Sequence, residues 1–303
     1  MAFITFAGSA VLALVFFPYA SDGPLSEKEL ADVRSFYAGA YDRGSGSNSP
    51  SEAQDPNYVR IAKAAAEHFD IKGAVSEFAQ KYGLANGKVL DVGAGRGYLQ
   101  DVVPNYTGLD ISSSAKEYFH KEFVLGSATS MPFPDGAFDG AWSIWVLEHV
   151  PNPEAALREI RRVVKDGGYV YLLPAWDCTP YAAQGYPVRP YSDFGIGGRI
   201  QKATIPLQLF AWTMAKVPVR LTRYALWKAT GGGPTKLRYR RLTPNYERYW
   251  MPDSDAISSL SRVEMALWFQ SRGDECLNCR GDWDEMTTLE QSQPLILRIR
   301  KGA

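Results

Sequence analysis

The sequence predicts an α/β protein built on a doubly wound sheet of seven strands, with a helical insertion after the fifth strand and an apolar helix at the N-terminus. Three observations carry this. From Val89 to Pro174, short β-branched runs alternate with amphipathic stretches, the pattern of parallel strands joined by crossover helices. The alternation lapses from Ala175 to Trp250 and resumes before the C-terminus. Residues 2–21 carry no charged side chain.

In chain order, the apolar run 2–21 has the length of a bilayer-spanning helix and is expected to act as a membrane anchor. No Lys or Arg precedes it, and "FPYA" is a poor cleavage site for a signal peptide. Leu25–Tyr41 has helical periodicity and leads into a Gly/Ser/Pro-rich linker. Tyr58–Tyr82 reads as one helix closed by Gly83. The strands are expected at Val89–Val92, Tyr106–Ile111, Phe123–Ala128, Phe138–Val146 and Tyr169–Pro174, with helices at Tyr98–Val103, Ser113–Glu122 and Pro153–Lys165. A helix at Ser254–Ser271 and strands near Glu275–Arg280 and Pro294–Arg300 complete the sheet. The chain thus divides into an apolar segment (1–21), an N-terminal helix and linker (22–57), a core (58–176), an insertion (177–250) and the completion of the sheet (251–303).

Composition excludes little: 46% of residues are hydrophobic, and 33 Lys and Arg balance 33 Asp and Glu. Distribution says more. Phe194–Trp250 holds eleven Lys/Arg and one acid, Glu247. Such a split points to an anionic partner for the basic part. Three cysteines argue against a disulfide scaffold and for a reducing compartment. Cys276 and Cys279 have metal-ligand spacing but no second pair, so they read as reduced thiols and no metal site is expected.

The stretch "KVLDVGAGRGYLQDVV", Lys88–Val103, carries the chemistry. A dinucleotide loop needs G-x-G-x-x-G to bring a pyrophosphate onto backbone amides at a helix N-terminus. Here the glycines are Gly93, Gly95 and Gly97, Tyr98 takes the third place of that pattern, and Asp91 stands two residues ahead. A carboxylate there repels a pyrophosphate and suits a cation. S-adenosylmethionine has a sulfonium, an ammonium and no phosphate. Asp110, at the tip of the second strand, can accept both hydroxyls of a ribose.

Lys88–Trp176 resembles the core of the class I S-adenosylmethionine-dependent methyltransferases, in the broad group of quinone, sterol and small-molecule enzymes. The matching stretches are "VLDVGAGRGYL", "YTGLDIS" and "GSATSMPFPDGAFDGAWSIWVLEHVPNPEAALREIRRVVKDGGYVYLLPA". The resemblance implies a Rossmann-like sheet and S-adenosyl-L-methionine as cofactor. Asp91, Gly93, Ala94, Gly95 and Gly97 would form its methionine side. Asp110 would hold the ribose, and Ile111 would pack on the adenine. Ser127 stands where the family usually has an adenine-binding Asp, so its hydroxyl or the backbone at Ala128–Thr129 would substitute. Trp145 completes the cofactor set.

The acceptor leaves weaker traces. His149, beside Glu148 after the fourth strand, is the candidate general base, and in the family the pair is often structural. Trp176, Tyr181, Tyr186 and Tyr191 follow the fifth strand and are candidate acceptor contacts. Gly198–Thr230 interleaves Leu, Phe and Trp with six bases and no acid, the composition of an interfacial helix, and Pro206 and Pro218 are expected to divide it. A helical cap over the site and a nucleic-acid surface are the competing readings of this insertion.

The function expected is methyl transfer to a small, hydrophobic or lipid-linked acceptor at a membrane surface, with the catalytic domain facing the cytoplasm. The alternatives are an RNA-modifying methyltransferase, an NAD(P)-dependent oxidoreductase and a non-catalytic adaptor. No protein partner is evident.

Overall fold

Val89–Val92, all four buried, form β1 at the centre of a seven-stranded sheet. The computed structural model describes residues 27–40, 55–246, 253–287 and 292–302, and the apolar segment 2–21 lies outside them. Strand β1 pairs in parallel with β2 (Tyr106–Asp110) on one side and β4 (Phe138–Ile144) on the other. Beyond them lie β3 (Glu122–Leu125) and β5 (Val164–Leu173), also parallel. The C-terminal strand β9 (Leu295–Arg298) runs antiparallel to β5, and β8 (Glu275–Cys276) runs antiparallel to β9. The order is β3-β2-β1-β4-β5-β9-β8, so one strand of seven opposes the rest. A short ribbon, β6 (Arg240–Arg241) with β7 (Ser258–Ser259), stands apart.

Side-chain alternation splits the core between the two faces. Leu90 and Val92 join Val170, Leu172, Leu295 and Leu297 on one face, and Val89, Trp142 and Tyr171 lie on the other. Helix α4 (Pro153–Val163) and helix α6 (Arg262–Gln270) cover the first, through Leu157, Ile160, Trp268 and Phe269. Helix α3 (Ile71–Lys81) covers the second through Val75, Phe78 and Ala79. Chain-local signals set α4: the Asn152 side chain accepts from Ala155 N at 3.0 Å, and Pro153 takes the first helical position, where its missing N–H costs nothing.

Ahead of the sheet lie α1 (Glu27–Ala40) and α2 (Asp55–His68). The single helix expected over Tyr58–Tyr82 is two, because Asp70 turns left-handed (φ 45°) and accepts from Gly73 N at 3.2 Å to start α3 afresh. The helix expected at Tyr98–Val103 is a run of turns. Gly97, Gln100 and Val102 bond to carbonyls three residues back, and the run closes at Pro104. Ser113–Tyr118 is likewise a 3₁₀ helix.

The insertion departs most. Pro206 and Pro218 do not divide it: Ile196–Ala229 is one helix, α5, of 34 residues with both prolines inside. An interior proline costs about 3 kcal/mol. Tertiary ties brace the helix on either side of Pro218: Lys216 to Asp177 at 2.7 Å, and Arg223 to Glu264 of α6 at 3.4 Å. Among the described residues no helix is long and apolar enough to cross a membrane. Cys276 and Cys279, expected as reduced thiols, form a disulfide, their Cα atoms brought to 5.5 Å by the turn after β8. Asn278, inside that turn, donates to Pro294 O and accepts from Ile296 N, which fastens it to β9.

Candidate active site

The sheet's connections reverse direction between β1 and β4, which opens a crevice at the carboxyl ends of the strands. A cavity of about 910 Å³ fills it. Asp91 of β1 and Asp110 of β2 stand on its floor with Gly93, Ala94 and Gly95 between them. Trp145, Val146 and His149, after β4, form a wall, and Val33, Tyr37, Ile61 and Ala65 of α1 and α2 form a largely apolar roof that also carries Arg34 and Lys63. The volume is at the upper end of the range for small-ligand sites.

The glycine loop answers the question its sequence raises. Gly93 and Ala94 both donate their amide N–H to Leu109 O, at 2.8 and 3.0 Å. Gly95 N donates to Asp110 Oδ2 at 2.8 Å, and Gly97 N to Ala94 O at 2.8 Å. Four of the five loop amides, those of Gly93, Ala94, Gly95 and Gly97, therefore point at protein acceptors, which leaves a pyrophosphate little of the loop to bind. No regular helix follows to present an N-terminus. Gly93 (φ 77°) must be glycine for a second reason, since a Cβ there would lie 2.3 Å from Val146 Cγ2.

The two floor acids are almost fully buried. Burial pushes Asp91 up to about 7, against the hydrogen bond it accepts from Tyr106 Oη at 2.7 Å. Burial also raises Asp110, which accepts from Gly95 N and, at 2.8 Å, from Ser112 N. Each oxygen of Asp110 spends one acceptor site on the backbone and keeps another. An acidic floor, committed amides and an open, partly apolar volume fit a cationic, phosphate-free nucleoside.

Ile111, Ser127, Ala128 and Thr129 line the same cavity. Ser127 Oγ accepts from Thr129 N at 3.2 Å and lies 2.9 Å from Thr129 Oγ1, so its hydroxyl shapes a local turn. Trp145 is left-handed (φ 53°), a conformation that costs a non-glycine residue roughly 1–2 kcal/mol, and its ring packs near Phe69 of the α2–α3 junction.

Away from the floor, His149 sits in an acidic nest. Its Nδ1 is 3.5 Å from Asp255 Oδ2 and 3.3 Å from Asp255 O, and its Nε2 is 3.8 Å from Glu148 Oε1. Tyr37 Oη donates to Asp255 Oδ2 at 2.8 Å. Burial alone would pull the imidazole down, yet Asp255, Glu148 and Asp253 together hold it above its ordinary value. Burial lifts Glu148 to about 7. Its Oε1 accepts from Ala175 N at 2.9 Å, so Glu148 also braces the end of β5.

The structure brings ten of the eleven expected cofactor residues to this cavity, and His149 with them; Gly97 stands outside. A Cβ at Gly97 would meet Gln100 Nε2 at 2.8 Å, so its role is to pack the loop.

The four aromatics expected to contact the acceptor do not line the cavity. Trp176 turns away to donate to Gln293 O at 3.1 Å, and Tyr181 donates to Gln208 of α5. Tyr186 stacks on Phe194, and Tyr191 stands against Lys202. They brace the insertion. The roof belongs to α1 and α2, which sequence reasoning read as helices over most of their length without assigning them to the site. Tyr37 and Asp255 gave no signal, because their meeting joins residues 218 apart.

Residues 90–172 match the family described as a methyltransferase domain. Among curated relatives, the ajmaline N-methyltransferase of Rauvolfia serpentina is 33% identical over 107 residues, 35% of this chain and 37% of the other. The sterol 24-C-methyltransferase ERG6B of Gibberella zeae is 36% identical over 135 residues, 38% and 35%. The ubiquinone biosynthesis O-methyltransferase of Dechloromonas aromatica is 36% identical over 110 residues, 31% and 46%. This chain thus spans less than half the length of these three relatives. Their names place the methyl group on nitrogen, carbon and oxygen in turn.

Proposed function

We propose that this chain, which carries a class I S-adenosylmethionine-dependent methyltransferase domain, moves a methyl group onto a small, largely apolar or lipid-linked acceptor at a membrane surface. The observation that carries the reading is the joint architecture of one cavity. An acidic floor whose glycine-loop amides are mostly committed to protein acceptors lies at one end, and His149 lies beneath a largely apolar roof that includes Tyr37 at the other.

S-adenosylmethionine, when bound, supplies a methyl group on a sulfonium. The protein's task is alignment and exclusion of water. Asp91 would face the cationic end of the ligand, Asp110 the ribose, and Ile111 and Trp145 the base. The roof of α1 and α2 holds the acceptor and keeps solvent from it. His149 receives the acceptor's proton where the reacting atom carries one. Asp255, fixed by Tyr37 Oη at 2.8 Å, orients the imidazole through Nδ1.

The loop counts against the oxidoreductase reading, because the amides of Gly93, Ala94, Gly95 and Gly97 are committed to protein acceptors and Asp91 stands before them. An RNA acceptor is the weaker reading, because Lys216 and Arg220, two of the eleven bases between Phe194 and Trp250, are buried within the fold. Incubating the full chain with methyl-labelled S-adenosylmethionine and separate lipid, small-molecule and RNA extracts tests the proposal. Label in an organic-soluble product supports it. Label in RNA alone overturns the acceptor class, and cofactor binding without transfer to any extract favours an adaptor.

A further inference from the structure

Helix α5 is inside out. On an ordinary surface helix the charged residues face water and the apolar ones face the core. Here Lys216 and Arg220 are 7% and 3% exposed, and Lys216 and Arg223 reach Asp177 and Glu264. The apolar side chains face out: Ile196 is 81% exposed, Ile200 60%, Leu207 68%, Phe210 61% and Met214 45%. At 100° per residue these five fall on one side of the helix, and Ile196 and Met214 stand five turns apart on the same line. The stripe is roughly 27 Å long at 1.5 Å per residue.

A single exposed leucine means nothing, but a row of large apolar side chains on one helix marks an interaction surface. Its surroundings say of what kind. The helix carries six Lys and Arg and no acid, and Arg199 and Lys228 are exposed near its two ends. At the chain's own N-terminus, residues 2–21 are mostly apolar and uncharged. An apolar face on an acid-free cationic helix complements the interface of an anionic bilayer.

We infer that α5 is a membrane-docking helix, lying in the plane of an anionic membrane surface with Ile196, Ile200, Leu207, Phe210 and Met214 in the headgroup–acyl boundary. This rests on the proposed reading only in giving the docking its purpose. Ala175 lines the cavity, and Asp177, two residues further on, holds Lys216 of α5, so the docking helix is tied to the cavity wall. The inward ion pairs hold the stripe outward.

The test must read the stripe itself, since residues 2–21 could retain the chain on vesicles alone. Full-length protein carrying Phe210→Cys is labelled with a polarity-sensitive fluorophore and mixed with vesicles of phosphatidylcholine with phosphatidylglycerol, or phosphatidylcholine alone. Glu77→Cys, on the exposed face of α3, is the control. The label at position 210 is expected to shift to shorter wavelength with the anionic vesicles and to be quenched by brominated lipid. The label at position 77 should do neither. Leu207→Glu added to the labelled protein should weaken the docking equilibrium read at position 210 roughly tenfold or more, because burying that side chain is worth more than one decade in affinity.

A label at position 210 that stays water-like while the protein sediments with vesicles overturns the proposal. So does one whose shift follows protein concentration without lipid, which assigns the stripe to a second copy. S-adenosylmethionine binding is measured calorimetrically on the same preparations. Cofactor binding without lipid contact at position 210 defeats the docking helix alone. Lipid contact without cofactor binding defeats the methyltransferase reading alone.

Discussion

Asp91 makes the sharpest prediction, because the same burial that raises its pKa ties cofactor affinity to pH. With Asp91 at about 7, its carboxylate is ionised in roughly one molecule in eleven at pH 6 and ten in eleven at pH 8. If the cation is held by the ionised form, S-adenosylmethionine should bind about tenfold more tightly at pH 8 than at pH 6. Asp91→Asn keeps an acceptor for Tyr106 Oη and removes the charge. It should bind weakly at both pH values and show no such slope. Stability moves the other way. The native pKa lies above the ordinary 3.8, so between 3.8 and 7 the unfolded chain releases a proton that the native chain keeps. The native state therefore loses stability as pH rises through that window, up to roughly 4 kcal/mol without ligand, and Asp91→Asn should escape the loss. Isothermal titration at pH 6, 7 and 8 measures the first, and urea unfolding at pH 4, 5.5, 7 and 8 the second. An affinity flat with pH, or a slope that survives in Asp91→Asn, would refute the assignment of Asp91 to the cation.

Three further outcomes follow from the geometry. Gly95→Arg should abolish cofactor binding by calorimetry, since a side chain at a left-handed residue (φ 52°) on the cavity floor enters the ligand's volume. His149→Gln should lower the rate and erase the limb of the pH–rate profile on which activity rises through a pKa above 6.5, with the cofactor Kd unchanged. Lys216→Met should destabilise the fold by about 3–5 kcal/mol in urea unfolding, because it strands Asp177 in a poorly solvated site. Adding Asp177→Asn should return much of that, asparagine tolerating the φ of 58° at position 177.

The sheet and the cofactor half of the cavity were legible because their signals are local. The strand β1 through its glycine loop, Asp110 after β2 and the capped start of α4 each depend on residues within a few positions of one another. The half proposed for the acceptor is assembled from distance. Tyr37 reaches Asp255 across 218 positions, and the roof comes from helices that precede the sheet by dozens of residues. Nothing in a run such as "ADVRSFYAGA" marks Tyr37 as the residue that reaches under the roof. Proximity in sequence to the fifth strand made Trp176, Tyr181, Tyr186 and Tyr191 look like acceptor contacts. In the fold the chain leaves the cavity after Ala175 and spends those aromatics on the insertion.

The insertion shows why net charge misleads where burial is unknown. Eleven bases against one acid between Phe194 and Trp250 look like an anion-seeking surface, and the same count would suit RNA or lipid. Asp177 and Glu264 lie outside that window, yet they neutralise Lys216 and Arg223 within the fold. Once those bases are spent inside, the outer face of α5 is defined by Ile200, Leu207 and Phe210, with Arg199 and Lys228 exposed near its two ends. The membrane reading therefore rests on the apolar stripe, with the charges demoted from contact to support. A desolvated Lys–Asp pair adds little net stability but fixes orientation, because any rotation of α5 about its axis would leave both charges unpaired. The two interior prolines agree with this division of labour. They weaken the helix locally, and the inward ion pairs, one just before Pro218 and one just after, keep its outward stripe in register.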